Sequence, residues 1–279
     1  MKRRQVMSLL ALMAAAMLGA IACSNLSAVP PSSAVNLTVS VAASVQEAME
    51  AVQAAYRAEA PLVSITYNVG ASGSLAQQIA QGAPVDVFLS ASPQWMDHLA
   101  TNEQIVARTR QDLLLNSLVV IVPAGTATVT DWQDLRGDRV AKLSIGEPNS
   151  VPAGRYAKET LSALQLFEPL QPKLVFSKTV RQVLAYVETG NVDAGLVYAT
   201  DAKLSPRVQV VATAPTDSHS PIVYPVAVVA GSRQREAAQA FVEFLSSQRA
   251  IAIFEQYGFA MAKYKVGQIA YRTQYRWSG

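Results

Sequence analysis

Short apolar segments alternate along this sequence with segments of helical periodicity, and this alternation constrains the fold more than any other feature. The apolar segments predict strands at residues 37–42, 62–69, 85–89, 118–122, 143–145, 173–176, 194–198 and 224–229. The segments between and after them predict helices at residues 44–59, 74–82, 152–164, 179–190, 234–246 and 248–257, with further helices opening at 92 and 130. Strands and helices that alternate in this way favour the α/β class, with a mainly parallel sheet covered by helices.

Several predicted helices begin with a small polar residue directly after a strand. Ser44, Ser74, Thr130 and Thr179 are each followed three residues later by Glu or Gln, which is the pattern of a capping box. In an open α/β sheet, helix N-termini at the carboxyl ends of strands direct N–H groups and partial positive charge toward one crevice. Four such starts lie at residues 44, 72–74, 151–154 and 179–180. Each alone is typical of an ordinary N-cap, so an anion site requires that they converge.

The N-terminus has the features of an export signal. Basic residues 2–4 precede an apolar run at 6–22, which predicts a secretory signal peptide over residues 1–22; an uncleaved membrane anchor is the alternative. Residues 20–23 resemble a bacterial lipobox, so Cys23 is predicted to be lipidated and to become the mature N-terminus. Residues 23–36, rich in Ser, Pro and Asn, then predict a flexible lipidated tether.

Charge and cysteine content argue against several classes of function. The 23 Lys and Arg residues exceed the 20 Asp and Glu residues, but three of the bases lie in the predicted signal peptide, so the mature chain is formally neutral. A neutral chain does not suggest binding to nucleic acid or to an anionic membrane surface. With Cys23 as the single cysteine and two histidines, His98 and His219, we expect no internal disulfide, no Cys- or His-based metal site and no cofactor.

The sequence offers little support for catalysis. Residues 70–74 (GASGS) lack the final glycine of a G-x-S-x-G nucleophile elbow, so a serine hydrolase built on Ser72 is the less favoured alternative. There is no P-loop motif. Arg155 and Arg181 fall in the first turns of predicted helices, where each either pairs with an anion or is a solvated charge. Tyr198 ends a strand, where its hydroxyl either reaches the crevice or is satisfied in the core. These patterns predict a binding protein and not an enzyme.

Seven separated segments resemble the molybdate-binding proteins of bacterial ABC importers, in the same order along the chain. They are residues 42–44 (AAS), 70–75 (GASGSL), 81–88 (QGAPVDVF), 116–120 (NSLVV), 151–158 (VPAGRYAK), 197–198 (VY) and 224–229 (YPVAVV). The resemblance covers about residues 37–262 and implies a periplasmic-binding-protein type II fold, in which two α/β lobes joined by two crossover strands hold the ligand in their cleft. It implies one lobe from residues 37–117 and 223–263 and a second from residues 118–222, followed by a tail at 264–279.

The same resemblance implies the ligand set, which consists of hydroxyl and amide donors on Ser44, Ser72, Ala153, Val180 and Tyr198. Its implied function is capture of molybdate or tungstate and delivery to an ABC permease. The protein would be a lipid-anchored monomer in the periplasm or on the outer face of the cytoplasmic membrane, and its only metal would be that of the oxyanion. A binding protein for sulfate or another tetrahedral oxyanion is the alternative. Gly73 departs from the pattern, because several relatives carry serine there.

Overall fold

The computed structural model describes residues 34–126 and 129–262; the predicted signal peptide, Cys23, most of the tether and the tail lie outside them. The strands are β1 Val35–Ala42, β2 Val63–Gly70, β3 Val87–Leu89, β4 Gln111–Leu115, β5 Leu118–Pro123, β6 Leu143–Gly146, β7 Leu174–Ser177, β8 Ala194–Tyr198, β9 Val208–Thr213, β10 Val223–Val228 and β11 Ala260–Met261. The α-helices are α1 Gln46–Tyr56, α2 Ser72–Ala80, α3 Pro93–Thr101, α4 Pro152–Ala163, α5 Phe167–Leu170, α6 Val180–Glu188, α7 Ala199–Lys203, α8 Arg235–Phe244 and α9 Gln248–Gln256. None of the described helices is both long and apolar enough to cross a lipid bilayer.

The first sheet has the strand order β11-β4-β10-β3-β1-β2. β1 is parallel to β2 and to β3, and Ala42 lies opposite Gly70 where β1 and β2 end. β10 runs antiparallel to β3 and β4, and β11 runs antiparallel to β4. Pro225 has no N–H to donate inside this central strand, and the pairing of β10 with β4 shifts register between Tyr224 and Pro225.

The second sheet has the order β7-β6-β8-β5-β9. β6 is parallel to β7 and β8, whereas β5 is antiparallel to β8 and β9. The chain passes from the first sheet to the second through Asn116 and Ser117, and returns through residues 214–222. Two short connections therefore join the two sheets.

The prediction of mainly parallel pairing is wrong for both sheets. Parallel pairing is confined to β1–β3 and to β6–β8, and each sheet is completed by antiparallel strands. β10 enters the first sheet only after the chain has built the second, and β5 opens the second sheet directly after β4. The sequence pattern missed β4 and β9 because each mixes polar with apolar residues, and β9 is a partly exposed edge strand.

The predicted helix starts lie close to the observed ones more often than the predicted capping residues are correct. As predicted, the side chain of Thr179 caps α6. α2 begins at Ser72, two residues before Ser74, so Ser74 lies inside the helix and caps nothing. Asp131, and not Thr130, caps the short 3-10 helix that follows it, because its carboxylate accepts the first free N–H. Aspartate is a favoured N-cap residue, so the spacing rule alone does not identify which of two neighbouring residues caps the helix.

Buried apolar side chains anchor the strand ends that matter for function. One continuous core runs through both sheets, and a smaller cluster that includes Phe88 and Met96 packs α2 and α3 against the first sheet. Tyr56 on α1 stacks against Phe241 and Phe244 of α8, with ring centroids 5.1 and 4.9 Å away. The loops at the carboxyl ends of the strands are therefore held on a well-packed scaffold.

Candidate functional site

The carboxyl ends of the parallel strands in the two sheets meet at one pocket. The first sheet contributes the residues that follow β1, β2 and β3, and the second contributes the starts of α4 and α6 and the end of β8. The lining residues are Ala42, Ala43, Ser44, Gly70, Ala71, Ser72, Ala91, Val151, Pro152, Ala153, Thr179, Val180 and Tyr198. All five residues in the predicted ligand set are among them, from two sheets and five separate stretches of chain.

The pocket is small, and its described lining residues carry no charged side chain. Its volume is about 220 Å³ with the solvent at its mouth included, which suits a small inorganic ion better than a larger organic solute. The five predicted ligand residues are at most 4% exposed. Among the described lining residues there is no Lys or Arg. An anion bound here has to be held by N–H and O–H groups.

Three helices direct their N-termini at this pocket. α2, α4 and α6 begin at Ser72, Pro152 and Val180. The first amides of a helix have no acceptor within the helix, so the N–H groups of Ser72, Ala153 and Val180 are available to a ligand. Pro152 has no N–H, but this does not weaken the helix, because an N–H in the first turn makes no hydrogen bond within the helix. Together these helix ends give the pocket a partial positive charge without a basic side chain.

Four of the described lining residues carry hydroxyl groups; that of Thr179 accepts the Gln182 N–H as a helix cap, and the other three belong to the predicted ligand set. The Ser72 Oγ accepts a hydrogen bond from the Ala91 N–H at 2.9 Å, which leaves its own hydrogen for another acceptor. The predicted capping role of Ser44 is wrong: it lies in a 3-10 turn, and its Oγ is 2.9 Å from the Tyr224 hydroxyl. The Tyr198 hydroxyl is buried and has no hydrogen-bond partner among the described residues. An unpaired buried hydroxyl is destabilising, so it points to a ligand that completes the bond.

The two tyrosines at the site stay protonated near neutral pH. Burial raises the pKa of Tyr198 well above its ordinary value, and the neighbouring Tyr224 raises it further. Burial likewise raises the pKa of Tyr224. Their rings meet edge to face with centroids 5.7 Å apart. Tyr198 is therefore a hydrogen-bond donor at any pH at which an oxyanion is bound.

Arg155 and Arg181 connect the two sides of the pocket and are not among its lining residues, so the solvated-charge alternative is wrong for both, and pairing with an anion stays a prediction. Both sit on helices of the second sheet and reach to the first. The Arg155 Nη2 donates to the Ser92 Oγ at 3.1 Å. The Arg181 Nε donates to the carbonyl oxygen of Ala43 at 3.2 Å, and its Nη2 pairs with the carboxylate of Glu47. Each guanidinium thus bridges the two sides of the pocket from outside it.

A buried carboxyl, which the sequence did not single out, supports Arg181. The Asp201 Oδ1 lies 3.1 Å from the Arg181 Nε, and its Oδ2 accepts the N–H of Tyr198 at 3.1 Å. Burial raises the pKa of Asp201 to about 7, although the guanidinium acts to lower it. Asp201 therefore positions both a cross-pocket arginine and the backbone of a lining residue.

Gly73 lies where the two sides of the pocket touch. Its N–H donates to the carbonyl oxygen of Ser150 at 3.0 Å. A Cβ at this position would lie 2.7 Å from that oxygen and 2.7 Å from the Trp95 ring. The glycine permits a close approach of the two sides in this chain, and a serine would require Trp95 or the Ser150 backbone to move.

The hydrolase alternative finds no support at Ser72. Among the described residues, neither histidine bonds to it: His98 packs against Trp95, with ring centroids 6.2 Å apart, and the His219 Nδ1 lies 2.8 Å from the Ser220 carbonyl oxygen. No group of three or more His, Cys, Asp or Glu within residues 34–126 and 129–262 is arranged to hold a metal ion. The hydroxyl of Ser72 thus has no general base beside it.

Two polar residues beside the pocket, Asn116 and Tyr224, were also not predicted as functional. Both fall in segments that carry the family resemblance, but their local patterns indicate only a strand and its start. Tyr224 is separated from its partner Ser44 by 180 positions in the sequence. Only the fold brings these side chains together.

Comparison with known proteins agrees with the resemblance that the sequence segments show. A family model described as bacterial extracellular solute-binding protein matches residues 37–260. YvgL of Bacillus subtilis, provisionally named an ABC transporter substrate-binding lipoprotein, is 44% identical over 237 residues, which are 85% of this chain and 90% of that protein. The molybdate-binding protein ModA of Escherichia coli is 40% identical over 232 residues, which are 81% of this chain and 89% of that protein.

Solved structures show the same similarity in three dimensions. A substrate-binding domain from Clostridium difficile, provisionally assigned to a molybdenum ABC transporter, is 44% identical with a TM-score of 0.64, and covers 81% of this chain and 98% of that one. The periplasmic molybdate-binding protein of Azotobacter vinelandii has a TM-score of 0.73 at 22% identity, with 80% and 98% covered. The sulfate-binding protein SubI of Mycobacterium tuberculosis has 0.71 at 19% identity, with 82% and 87% covered. The last two concern the fold alone, and they confirm the predicted type II periplasmic-binding-protein fold.

Proposed function

The chain belongs to the family of bacterial extracellular solute-binding proteins, and from that premise we propose that it captures molybdate or tungstate and delivers the anion to the permease of an ABC importer. The observation that carries the proposal is a small pocket with five converging donor positions, a Tyr198 hydroxyl without a partner among the described residues, and no basic side chain among its described lining residues. Such a site suits a small dianion that accepts hydrogen bonds at every oxygen.

The binding energy in this proposal comes from hydrogen bonds to a charged ligand. Ser44 and Ser72 donate hydroxyl and amide hydrogens, Ala153 and Val180 donate amides, and Tyr198 donates its phenol. Each hydrogen bond to a charged group contributes about 1.5–3 kcal/mol. Helix N-termini add favourable electrostatics in a pocket that excludes water. Catalysis forms no part of the proposal, because the pocket offers donors and no nucleophile–base pair.

The preference for molybdate over sulfate is supported by similarity and by size. The Escherichia coli relative, 40% identical, is named for molybdate, whereas the sulfate-binding neighbour shares the fold at only 19% identity. Donors fixed at one spacing cannot all reach the oxygens of a smaller tetrahedral ion. Some of them then stay buried without a hydrogen-bond acceptor, which is destabilising. Sulfate is smaller than molybdate, and tungstate is nearly the same size.

Location and partners follow from the same premise. We propose that the chain is exported, that Cys23 carries the lipid anchor, and that a monomer works in the periplasm or on the outer face of the cytoplasmic membrane. The lipoprotein name of the Bacillus subtilis relative supports the anchor. The permease is the partner that an importer of this type requires.

We further propose that residues 37–117 with 223–263, and residues 118–222, act as two lobes that close on the anion. The ligand set is divided between them, with Ser44 and Ser72 on one side and Ala153, Val180 and Tyr198 on the other. Neither side alone can surround a tetrahedral ion. The contacts of Arg155 and Arg181 across the pocket are those expected to form on closure.

Isothermal titration calorimetry of the mature chain with molybdate, tungstate and sulfate tests the proposal. We expect tight, nearly equal binding of molybdate and tungstate and much weaker binding of sulfate. Tyr198→Phe removes one donor and should weaken molybdate binding about tenfold or more, since ~1.4 kcal/mol is one decade. Tyr67→Phe is the matched control, because this partly buried hydroxyl donates to the Met49 carbonyl oxygen at 2.7 Å, away from the pocket lining. Sulfate binding as tight as molybdate, or a silent Tyr198→Phe, would contradict the assignment.

A further inference from the structure

A chain of side-chain hydrogen bonds leads from the connection between the two sheets to the pocket. The Asn116 Nδ2 lies 2.8 Å from the Thr200 Oγ1 and 3.2 Å from the Tyr224 hydroxyl. That hydroxyl lies 2.9 Å from the Ser44 Oγ. Asn116 stands in the connection between β4 and β5, and Tyr224 stands on β10, just after the chain returns to the first sheet.

The direction of each bond in this chain can be worked out from one backbone group. The N–H of Ser117 lies 2.9 Å from one terminal atom of the Asn116 side chain. An amide N–H can only donate, so that atom is the oxygen and the other is the nitrogen. The nitrogen carries two hydrogens and cannot accept a hydrogen bond, so it donates to both Thr200 and Tyr224.

The same reasoning fixes the next two steps. The Tyr224 hydroxyl accepts from Asn116 and has one hydrogen, and its second neighbour is the Ser44 Oγ. If Tyr224 donates that hydrogen to Ser44, every group in the chain is satisfied, and the hydroxyl hydrogen of Ser44 remains for a ligand. The Tyr198 hydroxyl makes no hydrogen bond to the described residues, so if Ser44 donated instead, the buried hydrogen of Tyr224 would lose its acceptor, which is costly.

We propose that Tyr224, oriented by Asn116, is a positioning residue that keeps the hydroxyl hydrogen of Ser44 directed at the bound oxyanion. The inference rests on the proposed function, since it concerns how one ligand residue is held ready. Tyr224 is absent from the lining residues; its hydroxyl reaches the site through Ser44, and its ring packs against that of Tyr198, a contact that phenylalanine would keep. Ser72 is arranged in the same sense by a backbone group, the N–H of Ala91. Both serines are thus fixed as donors before the anion arrives, which lowers the cost of ordering them on binding.

A double-mutant cycle measured by calorimetry with molybdate tests this role. Tyr224→Phe should weaken binding about fivefold in the wild-type background, because the Ser44 hydroxyl loses the bond that orients it. In the Ser44→Ala background the same change should have no further effect, since there is no hydroxyl left to orient. A merely structural loss would be additive. Tyr67→Phe is the control and should leave binding within twofold in both backgrounds, because the Tyr67 hydroxyl donates to the Met49 carbonyl oxygen away from the pocket. Thermal melts of every unliganded variant verify folding.

A second, independent experiment reverses the direction of the hydrogen bonds between Asn116, Tyr224 and Ser44. Asn116→Asp keeps the shape but replaces the donor by an acceptor, so Tyr224 donates to the new carboxylate and Ser44 must donate to Tyr224. We expect at least a tenfold loss, larger than that of Asn116→Ala, which removes the donor without reversing the chain. In the Ser44→Ala background the difference between Asp and Ala should shrink, and any part due to charge repulsion should persist.

The outcomes separate the two proposals. Additive effects of Tyr224→Phe and Ser44→Ala, a silent Tyr224→Phe, or an Asn116→Ala loss as large as that of Asn116→Asp would overturn the positioning role while wild-type binding still supports the proposed function. A folded wild-type chain that binds neither molybdate nor tungstate overturns both.

Discussion

Replacement of Arg181 by Gln tests whether contacts across the pocket contribute to anion affinity. The guanidinium is not among the lining groups, but it bonds across the pocket to the carbonyl oxygens of Ala43 and Ser44 and to the carboxylate of Glu47. Arg181→Gln removes these bonds and leaves the lining residues in place. If the protein binds by closing, the closed form loses stability and the apparent affinity falls by the same free energy.

The magnitude follows from the exposure of each contact. The Glu47 side chain is 41% exposed, so its pair with Arg181 is screened and contributes at most ~1 kcal/mol. The bond from the charged Nε to the Ala43 carbonyl is better shielded, with the arginine side chain 21% exposed, and contributes about 1.5–3 kcal/mol. Asp201 then loses its cation, but its pKa of about 7 lets it become neutral instead of remaining as a buried charge. These contacts together contribute about 1.5–4 kcal/mol, so we expect a loss of roughly tenfold to several hundredfold in affinity.

Calorimetry with three anions distinguishes closure from direct contact. A closure effect should lower the affinities for molybdate, tungstate and sulfate by the same factor, because none of them touches Arg181. Arg181→Lys is the matched control, since it keeps the charge but lacks the planar fork and should restore binding only in part. Affinities within twofold of wild type for all three anions, or full recovery with lysine, would refute the closure role.

Three further predictions concern the anchor, the hinge and a buried acid. Cys23→Ala should move the protein from the membrane to the soluble fraction on cell fractionation, because a lipid chain holds it there; retention would favour the uncleaved helix. Small-angle scattering should show a smaller radius of gyration with saturating molybdate, since the ligand set is divided between two lobes, and an unchanged radius would argue against closure. Asp201 binds a proton in the folded state up to about pH 7, whereas in the unfolded state it does so only below about pH 4, so it makes the free energy of unfolding fall as pH rises between these values. Asp201→Asn should abolish that slope in denaturant titrations, and an unchanged slope would assign it to other groups.

Local patterns predicted most of the elements but not how they pair. Alternation of apolar and polar residues predicted β1, a short apolar run predicted β8, and the spacing of Thr179 and Gln182 predicted the cap of α6, because these patterns depend on neighbours in the sequence. The antiparallel entry of β10 beside β3 depends on where a distant segment returns, which no window of a few residues contains. The same limit explains why β9, a half-exposed edge strand, was missed.

The sequence predicted the residues that line the candidate site, but not the side chains that hold them in place. Motif similarity identified Ser44, Ser72 and Tyr198, which line the pocket, because a family retains these short segments. The bonds that hold the lining residues join positions far apart in the chain, such as Tyr224 to Ser44 and Arg181 to Ala43. An arginine in a first helical turn gives no sign that it crosses to another sheet, so its role required the fold.

The most direct test of the central claim is elemental and native mass spectrometry of the chain purified from its own envelope without added anion. A pocket that holds a metal oxyanion through neutral donors should retain its cargo, so we expect one molybdenum or tungsten atom for each folded chain, lost from Tyr198→Phe under the same purification. Purified protein that carries sulfate or phosphate with no trace of either metal, and that fails to take up molybdate when it is supplied, would contradict the claim.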